Sequence, residues 1–155
     1  MQKLPDDAPD VLVALYNAWQ AIRVSRPPTK ADFPFEKVAR EHPGLFWVER
    51  TDATQHDVDF RFIAVGSEVG KRNGRKLVGT AYSEVMNERT LNRVARVFPQ
   101  QLARGEPHYW DIITTDYGEE PVQYQRVLLP LFDDNGTAVS LLGSCVWKDH
   151  KAQSD

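Results

Sequence analysis

From Pro9 onward the apolar residues Leu12, Leu15, Tyr16, Trp19 and Ile22 recur at intervals of three and four, the spacing of one face of a helix. Pro9 suits a first helical turn and Pro27-Pro28 cannot continue one, so the pattern predicts an amphipathic helix over about 9–25. A short second helix is predicted over 34–41, with Asp32 near its start, Phe35 and Val38 on one face and Pro43-Gly44 past its end. The chain then turns to β-branched and aromatic residues. Segments 45–50 and 60–67 read as strands of a hairpin joined by the polar loop 52–57. Helical spacing returns over 88–104, where Leu91, Val94, Ala95, Phe98 and Leu102 share a face and Gly105 terminates. Pro99 falls inside it and is expected to bend or end that helix, because an interior proline costs about 3 kcal/mol. Three further strands, 108–115, 122–132 and 137–148, complete an antiparallel meander.

The last two strands carry the most information. Asp133-Asp134-Asn135-Gly136 between them holds the Asn-Gly pair that favours a type I′ hairpin. Alternation then puts Tyr124, Arg126, Leu128, Pro130 and Phe132 on one side, opposite Val139, Leu141, Gly143, Cys145 and Trp147. That side is strongly apolar yet contains an arginine and a tyrosine, as a ligand cavity with a polar anchor would. A core with a snorkelling arginine has the same pattern.

Residues 66–79 hold Gly66, Gly70, Gly74 and Gly79 and the basic run Lys71-Arg72-Asn73-Gly74-Arg75-Lys76. The spacing matches neither the dinucleotide fingerprint nor the P-loop. The segment reads as a solvated turn whose glycines permit positive φ, in preference to a phosphate or partner site.

Composition narrows the class. A chain of 155 residues with 41% apolar content supports one core, so a single domain is expected, with its body at about 28–148. A net charge of −3 lacks the basic excess that a general nucleic-acid surface requires. The only cysteine, Cys145, excludes an intramolecular disulfide and suits a reducing compartment. The first ten residues do not resemble a secretory signal, and no apolar run approaches the roughly 20 residues of a membrane span. A cytoplasmic protein with no nucleic-acid or membrane partner is the expectation.

The element order gives an α+β fold with a five-stranded antiparallel sheet, N-terminal helices and a helical middle segment between strands two and three. In this order the chain resembles a PAS domain, and more narrowly the bacterial PAS-like family formerly catalogued as a domain of unknown function. The resemblance rests on Pro28-Thr29-Lys30-Ala31-Asp32-Phe33-Pro34, on Asp59-Phe60-Arg61-Phe62-Ile63-Ala64-Val65-Gly66-Ser67, on Leu77-Val78-Gly79 and on Leu128-Leu129-Pro130-Leu131. It extends over roughly 12–147. One departure is Ile63, where members of that family often carry a basic residue.

No catalytic constellation emerges. His42, His56, His108 and His150 are scattered without metal-ligand spacing. His108 is singled out because haem-binding PAS domains use a histidine ligand, although the resemblance maps no such ligand onto it. Cys145 lacks an adjacent base and lies outside the helical middle, where flavin-photoreceptor PAS domains carry their reactive cysteine; it reads as a small core residue. No cofactor is identified. The candidate ligand-binding set is Phe62, Phe98, Trp110, Tyr124, Arg126, Cys145 and Trp147, with Val94 as part of a roof. Arg126 has two candidate partners, Asp111 or a ligand anion. The first helix also has two readings, which do not exclude each other: it covers the sheet face bearing Val127, Leu129 and Leu142, or it forms a homodimer seam of the kind N-terminal helices of PAS domains provide. The resemblance implies a stand-alone sensory or regulatory domain in signalling, binding a small molecule, a partner protein or both. The alternatives are a small α+β pocket enzyme, an isomerase or hydratase with Asp111 as its only obvious base, and an interaction module with a filled core.

Overall fold

The computed structural model describes residues 4–51, 59–114 and 120–148. Helix α1 (Asp10–Arg23) is followed by a 3-10 turn, Lys30–Asp32, and by α2 (Phe35–Glu41). Strands β1 (Leu45–Thr51) and β2 (Asp59–Val65) precede three helices, α3 (Ser67–Asn73), α4 (Tyr82–Val85) and α5 (Glu88–Arg104). Strands β3 (His108–Thr114), β4 (Val122–Phe132) and β5 (Ala138–Lys148) follow. The sheet order is β2-β1-β5-β4-β3, and every neighbouring pair is antiparallel. This is the α+β arrangement with a five-stranded antiparallel sheet that the pattern of hydrophobic positions predicts, with the helical middle that the resemblance implies. The predicted loop 52–57 lies outside the described residues.

The sheet separates two apolar layers. On one face α1 packs Leu12, Leu15, Tyr16 and Trp19 over Trp47, Val127, Leu129, Leu131 and Leu142. Trp19 is fully buried, and its Nε1 donates to the carbonyl of Pro130 at 2.8 Å. The stripe thus covers the chain's own sheet, the first of its two readings, with Tyr16 and Trp19 both buried there. Ile63, the departure from the family pattern, packs against the same layer. Arg26 holds Asp32 with two bonds of 2.6 and 2.7 Å just after α1.

The opposite face carries Phe46, Val48, Phe60, Phe62, Tyr124, Leu128, Leu141 and Cys145, roofed by Val69 of α3, Tyr82 of α4 and Val94, Phe98 and Leu102 of α5. Helix α5 starts where the Asn87 side chain accepts the Thr90 N–H at 2.8 Å, and ends at Gly105 with φ 65°. It runs through Pro99 as one element. The buried stripe Val94, Phe98, Leu102 spans the proline, and packing of that stripe outweighs the local loss of a hydrogen bond.

Three expectations are corrected. The segment read as a solvated turn contains α3, which a Glu68–Arg72 pair at 3.1 Å supports and Gly74, at φ 66°, terminates. Its one buried residue, Val69, gives no apolar stripe to read. The hairpin turn is not type I′, which needs positive φ at both central residues, since Gly136 is positive at 79° and Asn135 is not. The Asp133 carboxylate accepts the N–H groups of Asn135 and Thr137 at 2.9 and 3.0 Å, a local bond that competes with the I′ geometry. Finally, the register shifts from Leu131↔Ser140 to Phe132↔Ala138, leaving Val139 as the extra residue. That bulge turns Phe132 away from Arg126 and into the layer under α1.

Candidate functional site

Tyr124, Arg126 and Leu128 of β4 lie on the α4 and α5 side together with their β5 partners, in the pairs Tyr124↔Trp147, Arg126↔Cys145 and Leu128↔Gly143. Gly143 makes room there, because a Cβ on it would lie 2.3 Å from the Phe46 ring. Phe46 in turn stacks on Phe98 of α5 at 6.4 Å, and Phe60 meets the same ring edge-on at 5.2 Å. Between this aromatic layer and α3–α5 lies a cavity of about 140 Å³. An engineered cavity of roughly 150 Å³ admits benzene, so the space suits a ligand of about one ring, well below the roughly 300–1,000 Å³ of drug-sized sites.

Six of the seven predicted residues line this cavity: Phe62, Phe98, Tyr124, Arg126, Cys145 and Trp147. Trp110 does not. It sits opposite Arg126 on β3 and stacks under the guanidinium at 4.6 Å. The sequence reading missed Phe46, Val69, Asn73, Tyr82, Val85, Met86, Asn87, Thr90 and Arg93. Most come from α3, from α4 and from the first turns of α5. The legible signals were the i,i+4 spacing of Glu68 and Arg72 and the capping Asn87 three residues before Thr90.

Arg126 is the unusual member. It is 5% exposed, and its Nε and Nη2 meet no hydrogen-bond acceptor. Burial lowers its pKa, the nearby Tyr124, Cys145 and Tyr82 act the other way, and Arg93 reinforces the lowering. Asp111 is not its partner. It pairs in register with Gln125, on the other side of the sheet, and accepts from Gln123 at 2.9 Å and Gln125 at 3.5 Å. Strand parity separates the two side chains: Trp110, not Asp111, shares a face with Arg126.

The remaining chemistry is cationic and neutral. Arg93 lines the cavity, and Arg72 stacks over the Trp147 ring at 4.4 Å. Burial pushes the Cys145 thiol up to about 12, against the opposing pull of Arg126 and Arg72, so the sulfur is a thiol at neutral pH. Burial likewise raises the Tyr82 hydroxyl, which stays protonated. His108 pairs with Leu128, meets Trp110 edge-on at 5.6 Å and stands outside the cavity lining. No Asp, Glu or His belongs to the described lining. A second, more open recess, near 410 Å³, lies at another corner and includes Arg23, Arg50 and Arg104. Among the described residues no helix is long and apolar enough to cross a membrane.

No curated protein matches this chain closely enough to count as a relative. Among solved structures, it is similar to the PAS domain of Bordetella pertussis BvgS, with a TM-score of 0.55 at 16% identity over 76% of this chain and 86% of that one. It is also similar to the N-terminal domain of a diguanylate cyclase with PAS/PAC sensor from Marinobacter aquaeolei, with a TM-score of 0.46 at 16% identity over 72% and 98%. At 16% identity the likeness to the B. pertussis domain speaks to the fold alone. The PAS domain family model matches residues 8–146, nearly the whole length, and with the strand order above it establishes that the chain belongs to the PAS domain family.

Proposed function

We propose that this PAS domain is a sensory or regulatory module of the cytoplasm whose central cavity takes up a small molecule and passes its occupancy to a partner protein. The observation that carries the reading is a buried arginine, with two unpartnered nitrogens, in the wall of a one-ring cavity. A buried guanidinium without an acceptor is expensive, and folds retain such a group where a ligand completes it. Phe62, Phe98, Tyr124, Arg126, Cys145 and Trp147 form the contact set in this reading, and Trp110 orients the guanidinium. Membership of the PAS domain family supports a role of this type. The isomerase or hydratase reading has lost its base, because Asp111 lies across the sheet and the described lining offers no other carboxylate or imidazole. Native mass spectrometry and an absorbance scan of protein purified from cells test the proposal. A retained small molecule, displaced on denaturation and absent from Phe62→Trp protein, is the expected result. A cavity that neither retains nor admits any compound would overturn it.

A further inference from the structure

We infer that the ligand class is a small monocarboxylate with a compact apolar body, bound with its carboxylate across Nε and Nη2 of Arg126. This rests on the cavity being the ligand site of the preceding subsection and adds the chemistry of the occupant.

Three observations converge. First, the unpartnered atoms are the two that share one edge of the guanidinium, so they present a parallel pair of N–H donors. A planar carboxylate matches that pair with both oxygens, whereas a neutral carbonyl uses one. Trp110 covers a face of the same group at 4.6 Å, which leaves the edge as the approach. Second, the charge is uncompensated from within. Arg126 is 5% exposed, and the described lining holds no acid. The Asn87 side-chain oxygen in the lining is already engaged, accepting from the Thr90 N–H at 2.8 Å. One negative charge brought by a ligand restores the balance. Third, the far wall is aromatic, with Phe46, Phe62 and Phe98, and the volume of about 140 Å³ accepts roughly one ring. A second carboxylate would be forced against those rings without a partner, which selects against dianions.

Calorimetry on the full chain with benzoate, benzamide, benzene and succinate as probes tests this. Benzoate is expected to bind, with benzamide and succinate on the order of 30-fold weaker or more, the loss typical of an unpaired buried charge. Arg126→Lys, which keeps the charge and loses the fork, should weaken benzoate at least tenfold. Arg126→Met should abolish its advantage over benzamide while near-ultraviolet circular dichroism reports a native core. Arg23→Gln, in the second recess, should change nothing. Benzoate binding that survives Arg126→Met, or that disappears in Arg23→Gln, would overturn the inference. Equal binding of benzamide or benzene would overturn it too and leave the cavity reading standing. Failure of all four probes would remove the cavity reading as well.

Discussion

The layer under α1 and the layer under α5 are built from similar residues and finished differently. Beneath α1 both buried tryptophans are satisfied: Trp19 Nε1 reaches the Pro130 carbonyl at 2.8 Å, and Trp47 Nε1 reaches Ser140 Oγ at 2.7 Å. The Ser140 hydroxyl in turn donates to the Val48 carbonyl at 3.0 Å, closing a short chain across the sheet. Beneath α5 a full charge is buried with two donors unmet, next to a cavity of about 140 Å³. A core selected only for stability would fill that space and remove that charge. Of the two layers, it is the second that holds both the unmet charge and the space, and the proposal of a ligand site rests on that difference.

Removing the scaffold element gives the largest expected effect. Without residues 1–26 the sheet loses Leu12, Leu15 and Trp19, all at or near complete burial. Each such side chain contributes about 1.5–3 kcal/mol, against a total stability of about 5–15 kcal/mol for a domain. A thermal melt of the truncated chain is expected to lack a cooperative transition. A truncated chain that melts cooperatively as a monomer would show that α1 is an appendage, and would return the first helix to the role of a dimer seam.

Next in size are opposite responses to single substitutions on the two faces. Trp19→Phe strands the buried Pro130 carbonyl and should cost about 1–3 kcal/mol. Arg126→Met removes an unmet buried charge and should raise the Tm of the unliganded protein by about 2–4 °C per kcal/mol gained, net of the lost stacking on Trp110. If Arg126→Met destabilises as Trp19→Phe does, the arginine is a structural member of the core and the contrast between the layers collapses.

Gly143→Ala probes the boundary between space and packing. Its Cβ would meet ring atoms of Phe46 at 2.3–2.7 Å, and the ring must move toward the cavity it lines. Overpacking of this kind typically costs about 1–3 kcal/mol. Loss of benzoate binding in a folded Gly143→Ala protein is expected, read by calorimetry beside a denaturant melt. Undiminished binding would mean that Phe46 swings elsewhere and does not bound the ligand.

These responses also mark what the sequence made legible. Alternation along β4 and β5 placed Arg126, Tyr124, Cys145 and Trp147 on one face because strand period is a local property. The pairing of Arg126 with Asp111 failed on the same rule, applied between strands: the register of β3 on β4 puts Trp110 opposite Arg126, and a loop length alone does not fix that register. Phe132 was misplaced by a bulge, which no alternation pattern announces. The α3 and α4 walls stayed hidden because each is short and buries one residue, Val69 or Tyr82, leaving no periodicity to read. Position on a face was readable; contacts made by short helices after a glycine-rich stretch were not.

The smallest expected effect is a pH dependence on the site face. Burial first, then Arg126 and Arg104, push His108 from its ordinary 6.5 to about 4. The unfolded chain therefore binds a proton between those values that the folded chain refuses, so stability falls as pH drops from about 6.5 toward 4 and loses nothing further from this group below that. His42, buried with its Nδ1 unpartnered, is lowered by burial and acts in the same sense, so the bulk melt alone cannot separate the two. Asp32, held well below the usual carboxylate range by Arg26 and Thr29, does not lose its contribution until more acidic pH. Site-resolved imidazole titration by NMR isolates His108. In Arg126→Met its pKa should rise because one of two repelling cations is gone, while that of His42 stays where it was. A benzoate bound on Arg126 should move His108 in the same direction, by offsetting the charge instead of deleting it. A His108 whose pKa ignores the loss of Arg126 would show that the guanidinium's charge is already neutralised, and the contrast between the two layers would lose its basis.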